Sequence, residues 1–312
     1  MTISPPPVVD DVTPEQRKAP RRGEVKAREK GKPRILVSIV LFLIAIAWLF
    51  PLIGIVVTSF RTKDAVDNSG WWTVFTDWLQ AGWTMQNFSD AVDSLALPQS
   101  FFNSLAVVIP ATVLPIMFAA MAAYAFTFLE FKGKEVYFAI ILSLLVIPVQ
   151  MAIIPILQLF VWVKNATGIE IIGQYPAAWI VHSAFALPLA IYILRNYMAT
   201  LPNSLIEAAR VDGASHFQIF WRLVVPMSVP ALASFAIFQF LWVWNDFLVA
   251  YIFIGSGPNA VMTQGLYDLL GQYGQGWQRV AAGSMITVIV PLIIFFALQR
   301  YFVRGLTAGS VK

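Results

Sequence analysis

The sequence predicts an all-α membrane protein with six transmembrane helices and both termini in the cytoplasm. Three observations carry this reading. Of 312 residues, 58% are hydrophobic and 12% charged, against about 25% charged in a soluble domain. Six apolar stretches, at about 35–60, 101–129, 136–163, 177–194, 229–254 and 280–302, each approach or exceed the ~20 residues that cross a bilayer. With the N-terminus inside, 17 of the 21 Lys and Arg fall on cytoplasmic segments, and Arg61, Lys63, Lys164 and Arg279 fall outside. That bias orients membrane proteins.

Residues 1–34 come first and hold nine of the Lys and Arg and three consecutive prolines. They read as a disordered basic cytoplasmic tail able to touch anionic headgroups. The apolar run after them is too long for a cleavable signal, and no small-residue cleavage site follows it. Residues 35–312 form the six-helix membrane domain, whose first partner is the lipid bilayer itself. Cysteine is absent, which excludes disulfides and thiolate metal sites; no metal is expected. The net charge of +4 follows topology and calls for no nucleic acid.

The first outer loop, 61–100, carries Trp71, Trp72, Trp78 and Trp83. Indole rings favour headgroup depth, so anchoring is the preferred reading and a docking surface for an external partner the competing one. The third outer loop, 255–279, is expected to be flexible and polar, with Gly255, Gly257, Gly265, Gly271, Gly274 and Gly276 beside Gln264, Gln272 and Gln275. Its glycine spacing is no phosphate loop, because no Lys-Ser/Thr follows.

Polar residues inside spans are costly in hydrocarbon and mark functional candidates. In the fifth span Gln239 falls near mid-membrane, with Asn245 and Asp246 close to the outer rim. On one continuous helix Gln239, Trp242 and Asp246 share a face. An amide, an indole and a carboxylate there suit a polyhydroxylated solute; gluing span to span is the alternative. His182 reads as a hydrogen-bonded packing residue. Gln150, between Pro148 and Pro155, is expected to face the cavity where the third span kinks.

The longest polar interruption with helix grammar is 201–226, LPNSLIEAARVDGASHFQIFWRLVVP. Ser204 and Glu207 have capping-box spacing and open a helix that stops at Gly213. Ser215 and Gln218 open a second, which Pro226 closes. The first helix is only about two turns long, marginal in water without something to pack against.

These residues carry a resemblance. Glu207-Ala208-Ala209, Gly213 and then Leu223-Val224-Val225-Pro226 after nine residues resemble the EAA loop of ATP-binding-cassette (ABC) importer permeases, patterned EAA-x3-G-x9-I-x-L-P. The departures are Leu223 for Ile and Val225 for Leu. The competing reading is an amphipathic helix pair lying on the membrane. The last fifteen residues, the run from Trp242 to Phe247 and Arg61-Thr62-Lys63 resemble maltose-type sugar permeases, and Gly70-Trp71-Trp72 leans toward α-glucoside importers. The likeness covers 35–312.

The resemblance implies the type I ABC importer permease fold in a bacterial plasma (inner) membrane. It makes the chain a non-catalytic, multi-pass permease subunit of a sugar importer. Glu207, Ala208, Ala209, Asp212, Gly213 and Pro226 would couple to a cytoplasmic ABC ATPase dimer, and Thr307 and Gly309 of the tail would reach the same ATPase. ATP and Mg would be bound there, with no cofactor on this chain. Gly271, Gln272, Tyr273 and Gly274 would meet an extracytoplasmic solute-binding protein, and a second homologous permease would complete the pore. Gln239, Trp242, Asn245 and Asp246 are the solute-pathway candidates. The runner-up is a secondary transporter driven by an ion gradient, but no Asp or Glu sits at mid-membrane to couple the ion. A membrane-embedded enzyme would need clustered His or acidic groups; here the two histidines fall on opposite sides.

Overall fold

The computed structural model describes residues 35–79, 81–270 and 276–308, with side chains described as far as residue 299. The predicted tail, 1–34, lies outside the described residues. The chain divides into two compact units, Met1–Leu52 and Ile53–Lys312. In the first, the described part is residues 35–52 of α1 (Ile35–Ser59), apolar and exposed throughout.

In the second unit, five helices make up the outer loop, the second span and the third span. They are α2 (Lys63–Asn68), α3 (Gln86–Ser94), α4 (Leu97–Phe128), α5 (Lys134–Ser143) and α6 (Val149–Thr167). Then follow α7 (Tyr175–Met198), α8 (Asn203–Val211), α9 (His216–Ile219) and α10 (Val225–Met227). The chain closes with α11 (Val229–Trp244), α12 (Leu248–Phe253), α13 (Met262–Asp268), α14 (Trp277–Thr287) and α15 (Ile289–Ala308). Among the described residues there is no strand, only an antiparallel bridge between Arg61 and Trp83.

Five helical segments are long and apolar enough to cross a membrane: Ile35–Ser59, Leu97–Phe128, Val149–Thr167, Tyr175–Met198 and Trp277–Gln299. The pair His216–Met227 and Val229–Trp244, bent by 72°, supplies the sixth. The six predicted stretches therefore reappear, three of them with corrections. The third is not one helix over 136–163. Pro148 pushes Ile147 into extended backbone (ψ 113°), because its ring clashes with a helical neighbour before it. The fifth does not run unbroken from 229 to 254. It stops at Trp244, where Asn245 Nδ2 donates to the Leu241 carbonyl (2.7 Å) and Asp246 accepts from the Ala250 N–H (3.1 Å). Side chains that bond their own backbone compete with helix continuation in this way. The sixth starts at Trp277 and resets at Val288.

The unit is built around α4 and α7. In its inner half Ala119, Ala120 and Ala123 of α4 face Ala190 and Leu194 of α7, with Phe235 of α11 closing the cluster. In the outer half Val107, Val108 and Ala111 pack with Ala177, Ala178 and Val181. Small side chains on both sides let the helix axes approach closely, which is how spans associate without a hydrophobic drive.

Prolines interrupt these helices, and at three of them a side chain of a neighbouring helix takes the freed carbonyl. Pro110 has no N–H for the Ala106 carbonyl, and the Trp179 indole donates to it at 2.9 Å. Pro115 likewise orphans the Ala111 carbonyl, which the Gln239 amide takes at 3.1 Å. Pro291 orphans the Thr287 carbonyl, which receives Trp244 Nε1 at 3.3 Å. A backbone acceptor freed inside a membrane must be satisfied by a neighbouring helix, so the polar and indole groups of α7 and α11 stand where prolines of α4 and α15 demand them.

Residues 255–270 of the third outer loop are tied down by bonds that their glycines do not suggest. There Gln264 is buried, its Oε1 accepts the Val261 N–H (2.8 Å) and its amide donates to the Gly255 carbonyl (3.0 Å). Asn103 of α4 donates to the carbonyls of Pro258 and Ala260, both at 2.8 Å, and Met262 N–H donates to Ser104 Oγ. Glycine count reported backbone freedom; the buried amides removed it.

Candidate functional site

The loop between α7 and α11 combines defined helix ends with exposed motif residues. It begins at α8, nine residues that dock through Ile206, which is buried in the inner cluster. Glu207, Ala208, Asp212 and Gly213 remain exposed, Ala209 half-buried. The Ser204–Glu207 capping box does not form. Pro202 is the N-cap and no side chain caps the start. The helix begins one residue before Ser204, and Pro202 has no N–H for a glutamate to reach back to.

The other end of α8 follows its sequence. Gly213 has φ +80°. Its N–H donates to the Arg210 carbonyl at 3.0 Å and the Ala214 N–H to the Ala209 carbonyl at 2.9 Å, the paired bonds of a Schellman motif. Ser215 then caps α9 in the expected box: its N–H donates to Gln218 Oε1 (2.8 Å), and the Gln218 N–H donates to Ser215 Oγ (3.3 Å).

Pro226 does not close the second helix. A π-turn, Phe220–Val224, carries the chain into α10, with the Val225 N–H on the Phe220 carbonyl. Pro226 cannot serve the carbonyl four residues back, and a wider turn absorbs the mismatch. The break falls at Ser228. Asp212, Gly213, Ala214, Gln218, Ile219, Arg222 and Leu223 line an open depression of about 370 Å³ at the turn.

Two contacts that the sequence does not announce clasp this loop to the inner end of α4. Arg210 Nη2 donates to the Phe128 carbonyl at 3.0 Å, an acceptor left over where α4 ends. The Tyr124 hydroxyl lies 3.0 Å from His216 Nδ1, and the Tyr124 ring packs against Phe220. Lys134 Nζ takes the next carbonyl, Leu129, at 3.0 Å. Cations at a helix C-terminus also complement its dipole.

The expected solute-pathway residues do not form one face. Gln239 is 4% exposed, and its amide donates to the Ala111 carbonyl of α4. Trp242 and Asn245 are exposed, and Asp246 lies past the end of α11. There Asp246 Oδ2 stands 3.7 Å from Nε2 of buried His182. Gln150 is exposed two residues after Pro148, in the first turn of α6. Gly271, Gln272, Tyr273, Gly274 and Gly309 lie outside the described residues, and Thr307 has helical backbone at the end of α15.

Comparison with known proteins puts these features in a wider group. A family described as binding-protein-dependent transport system inner membrane component matches residues 111–308. The chain is 43% identical over 297 residues, 95% of its length and 98% of the relative's, to the osmoprotective compounds uptake permease protein GgtD of Synechocystis sp.. It is 51% identical over 239 residues, 76% of its length, to the alpha-glucoside transport system permease protein AglG of Rhizobium meliloti. That match spans 63% of the relative, under two thirds of its length. A bacterial ABC transporter involved in the import of the acidic polysaccharide alginate has a chain of the same fold. It superposes with a TM-score of 0.66 over 86% of this chain and 95% of that one, at 20% identity.

Proposed function

The chain belongs to the family of binding-protein-dependent transport system inner membrane components, and on that premise we propose that it is one of two permease subunits of an ATP-driven bacterial importer for a carbohydrate of the α-glucoside class. The observation that carries the coupling part is the geometry of α8: a short helix locked at Gly213, buried only through Ile206, with its motif face exposed on the side the charge count assigns to the cytoplasm. A cytoplasmic ABC ATPase dimer binds ATP and Mg and receives that face. An extracytoplasmic binding protein delivers the solute. The substrate class is supported by the likeness to AglG. Trp242 on α11 and Asn245 just past its end are exposed and, with Gln239 and Asp246, are assigned to the solute pathway, while 271–274 and the tail with Thr307 and Gly309 are assigned to the binding protein and the ATPase.

The absence of cysteine gives a clean test. Ala208→Cys should crosslink to a cysteine in the ATPase cleft, with a yield that changes on adding ATP. In vesicles, hydrolysis should rise when the binding protein carries an α-glucoside. Uptake that needs no ATP and collapses with a protonophore would replace this reading with the ion-gradient carrier.

The clasp gives a second expectation. Removing two hydrogen bonds of roughly 0.5–1.5 kcal/mol each, as in Arg210→Ala with His216→Ala, should lower binding-protein-stimulated hydrolysis about tenfold while the complex still assembles. Arg210→Lys, which keeps a donor for the Phe128 carbonyl, should retain most of the stimulation. Unchanged stimulation in the double variant would show that α4 moves independently of the loop.

A further inference from the structure

We infer that residues 71–79 and 81–85 form a re-entrant aromatic foot whose ligand is phospholipid, set into the headgroup–acyl boundary of the outer leaflet. The 3₁₀ turn Trp71–Phe75 repeats every three residues, which sorts its side chains by face. Trp71 and Val74 point inward: Val74 is buried, and a Cβ placed on Gly54 of α1 would lie 2.8 Å from Trp71 Nε1. Trp72 and Phe75 point outward, 60% and 74% exposed.

Gly54 fixes the depth. It lies five residues before the outer end of α1 at Ser59, which at 1.5 Å per residue is ~7.5 Å below that end. The chain therefore leaves α1, turns through α2, and folds back down beside it. Segments held in the membrane interface sink about 5–10 Å, the same depth. Ile53, Ile55 and Val56, the neighbours of Gly54 in α1, are exposed on a helix long and apolar enough to cross the bilayer. Trp71 thus meets α1 among residues suited to face lipid.

The outward side chains suit that place. Leu79 is 93% exposed, and Trp78 and Met85 are exposed beside it. An open notch of about 530 Å³ is lined by Phe60, Trp78, Trp83, Met85 and Thr84. Trp83 Nε1 is spent on the Trp78 carbonyl (2.9 Å), which leaves the Thr84 hydroxyl and the Trp78 indole N–H as the polar groups of the lining, with no carboxylate, amide or cation among them; an acyl chain needs no polar partner. Indoles at headgroup depth are favoured in their own right.

The foot is held firmly. Arg61 is 1% exposed and donates from Nε to the Ala81 carbonyl (3.1 Å), from Nη1 to the Ser69 carbonyl (3.2 Å) and from Nη2 to the Ala65 carbonyl (2.9 Å). The Thr62 N–H donates to Gly82 and the Thr84 N–H to Phe60, both at 2.7 Å. Asn87 of α3 donates to the carbonyls of Ser59 and Arg61. One buried guanidinium thus ties both ends of the aromatic segment to the end of α1.

The test uses the full chain in its assembled complex, in vesicles of phosphatidylethanolamine and phosphatidylglycerol. Single cysteines at Phe75→Cys and Leu79→Cys carry an environment-sensitive fluorophore, and lipids carry nitroxides at the headgroup, upper chain or chain end. Both labels should be blue-shifted and quenched most by the headgroup and upper-chain nitroxides. Unlabelled, both thiols should react with an impermeant maleimide roughly tenfold more slowly than Asp64→Cys and Asp93→Cys, because headgroups cover them. Reaction as fast as Asp64→Cys would place the foot in water and overturn the inference. Protection without quenching by any lipid would overturn it too, by assigning the surface to a protein partner.

Discussion

Gly213→Val should leave the chain inserted and assembled but abolish most of the stimulation of ATP hydrolysis by loaded binding protein. At φ +80° an L side chain meets its own backbone, at about 1–2 kcal/mol, and a β-branched one is worse placed than most. Nothing lies within 4 Å of the added Cβ, so the effect comes from the backbone alone. Relaxing φ breaks the bonds from Gly213 to Arg210 and from Ala214 to Ala209, and α8, at nine residues, is too short to hold its end without them. A strain of about 1–2 kcal/mol lowers the docking-competent population by a factor of roughly 5–30. Gly213→Asn is the control, because asparagine tolerates the left-handed region; it should keep most of the stimulation. If valine and asparagine behave alike, the left-handed turn is not what positions α8.

Local grammar was legible wherever the deciding atoms lie within a few residues. Gly213 and the Ser215–Gln218 box are such cases, and both appear as read. The Ser204–Glu207 box obeys the same spacing and failed because Pro202, two residues upstream, starts the helix first. Span positions were legible from hydropathy, since it needs only composition. Their breaks were not: Asn245 and Asp246 look like rim residues of a continuous helix until their side chains are seen bonding Leu241 and Ala250. Least legible were contacts across long separations. Arg210 on Phe128, His216 beside Tyr124 and Asn103 under the third outer loop join positions whose pairing no periodicity encodes. The outer loop shows the cost of reading composition alone, because one buried glutamine outweighs several glycines.

Gln239 turns that lesson into a measurement. Mid-span amides invite a solute reading, but the acceptor of Gln239 is the carbonyl that Pro115 leaves without its N–H. Gln239→Leu should therefore reduce stability and leave uptake per assembled complex unchanged. An orphaned buried carbonyl costs about 1–3 kcal/mol, and the low end is expected because interhelical bonds in bilayers average about 0.6 kcal/mol. Pro115→Ala restores an N–H at position 115, and with it an intrahelical partner for Ala111. In that background Gln239→Leu should cost little, so a double-mutant cycle, read by thermal unfolding of the detergent-solubilised chain, isolates the compensation from the small cavity the missing ring leaves. Equal costs in both backgrounds would break the link between the proline and the amide. Lost uptake at unchanged stability would return Gln239 to the solute pathway. Trp179 with Pro110 and Trp244 with Pro291 stand in the same relation, and the same cycle applies to each: the donor on one span is needed because of a proline on another.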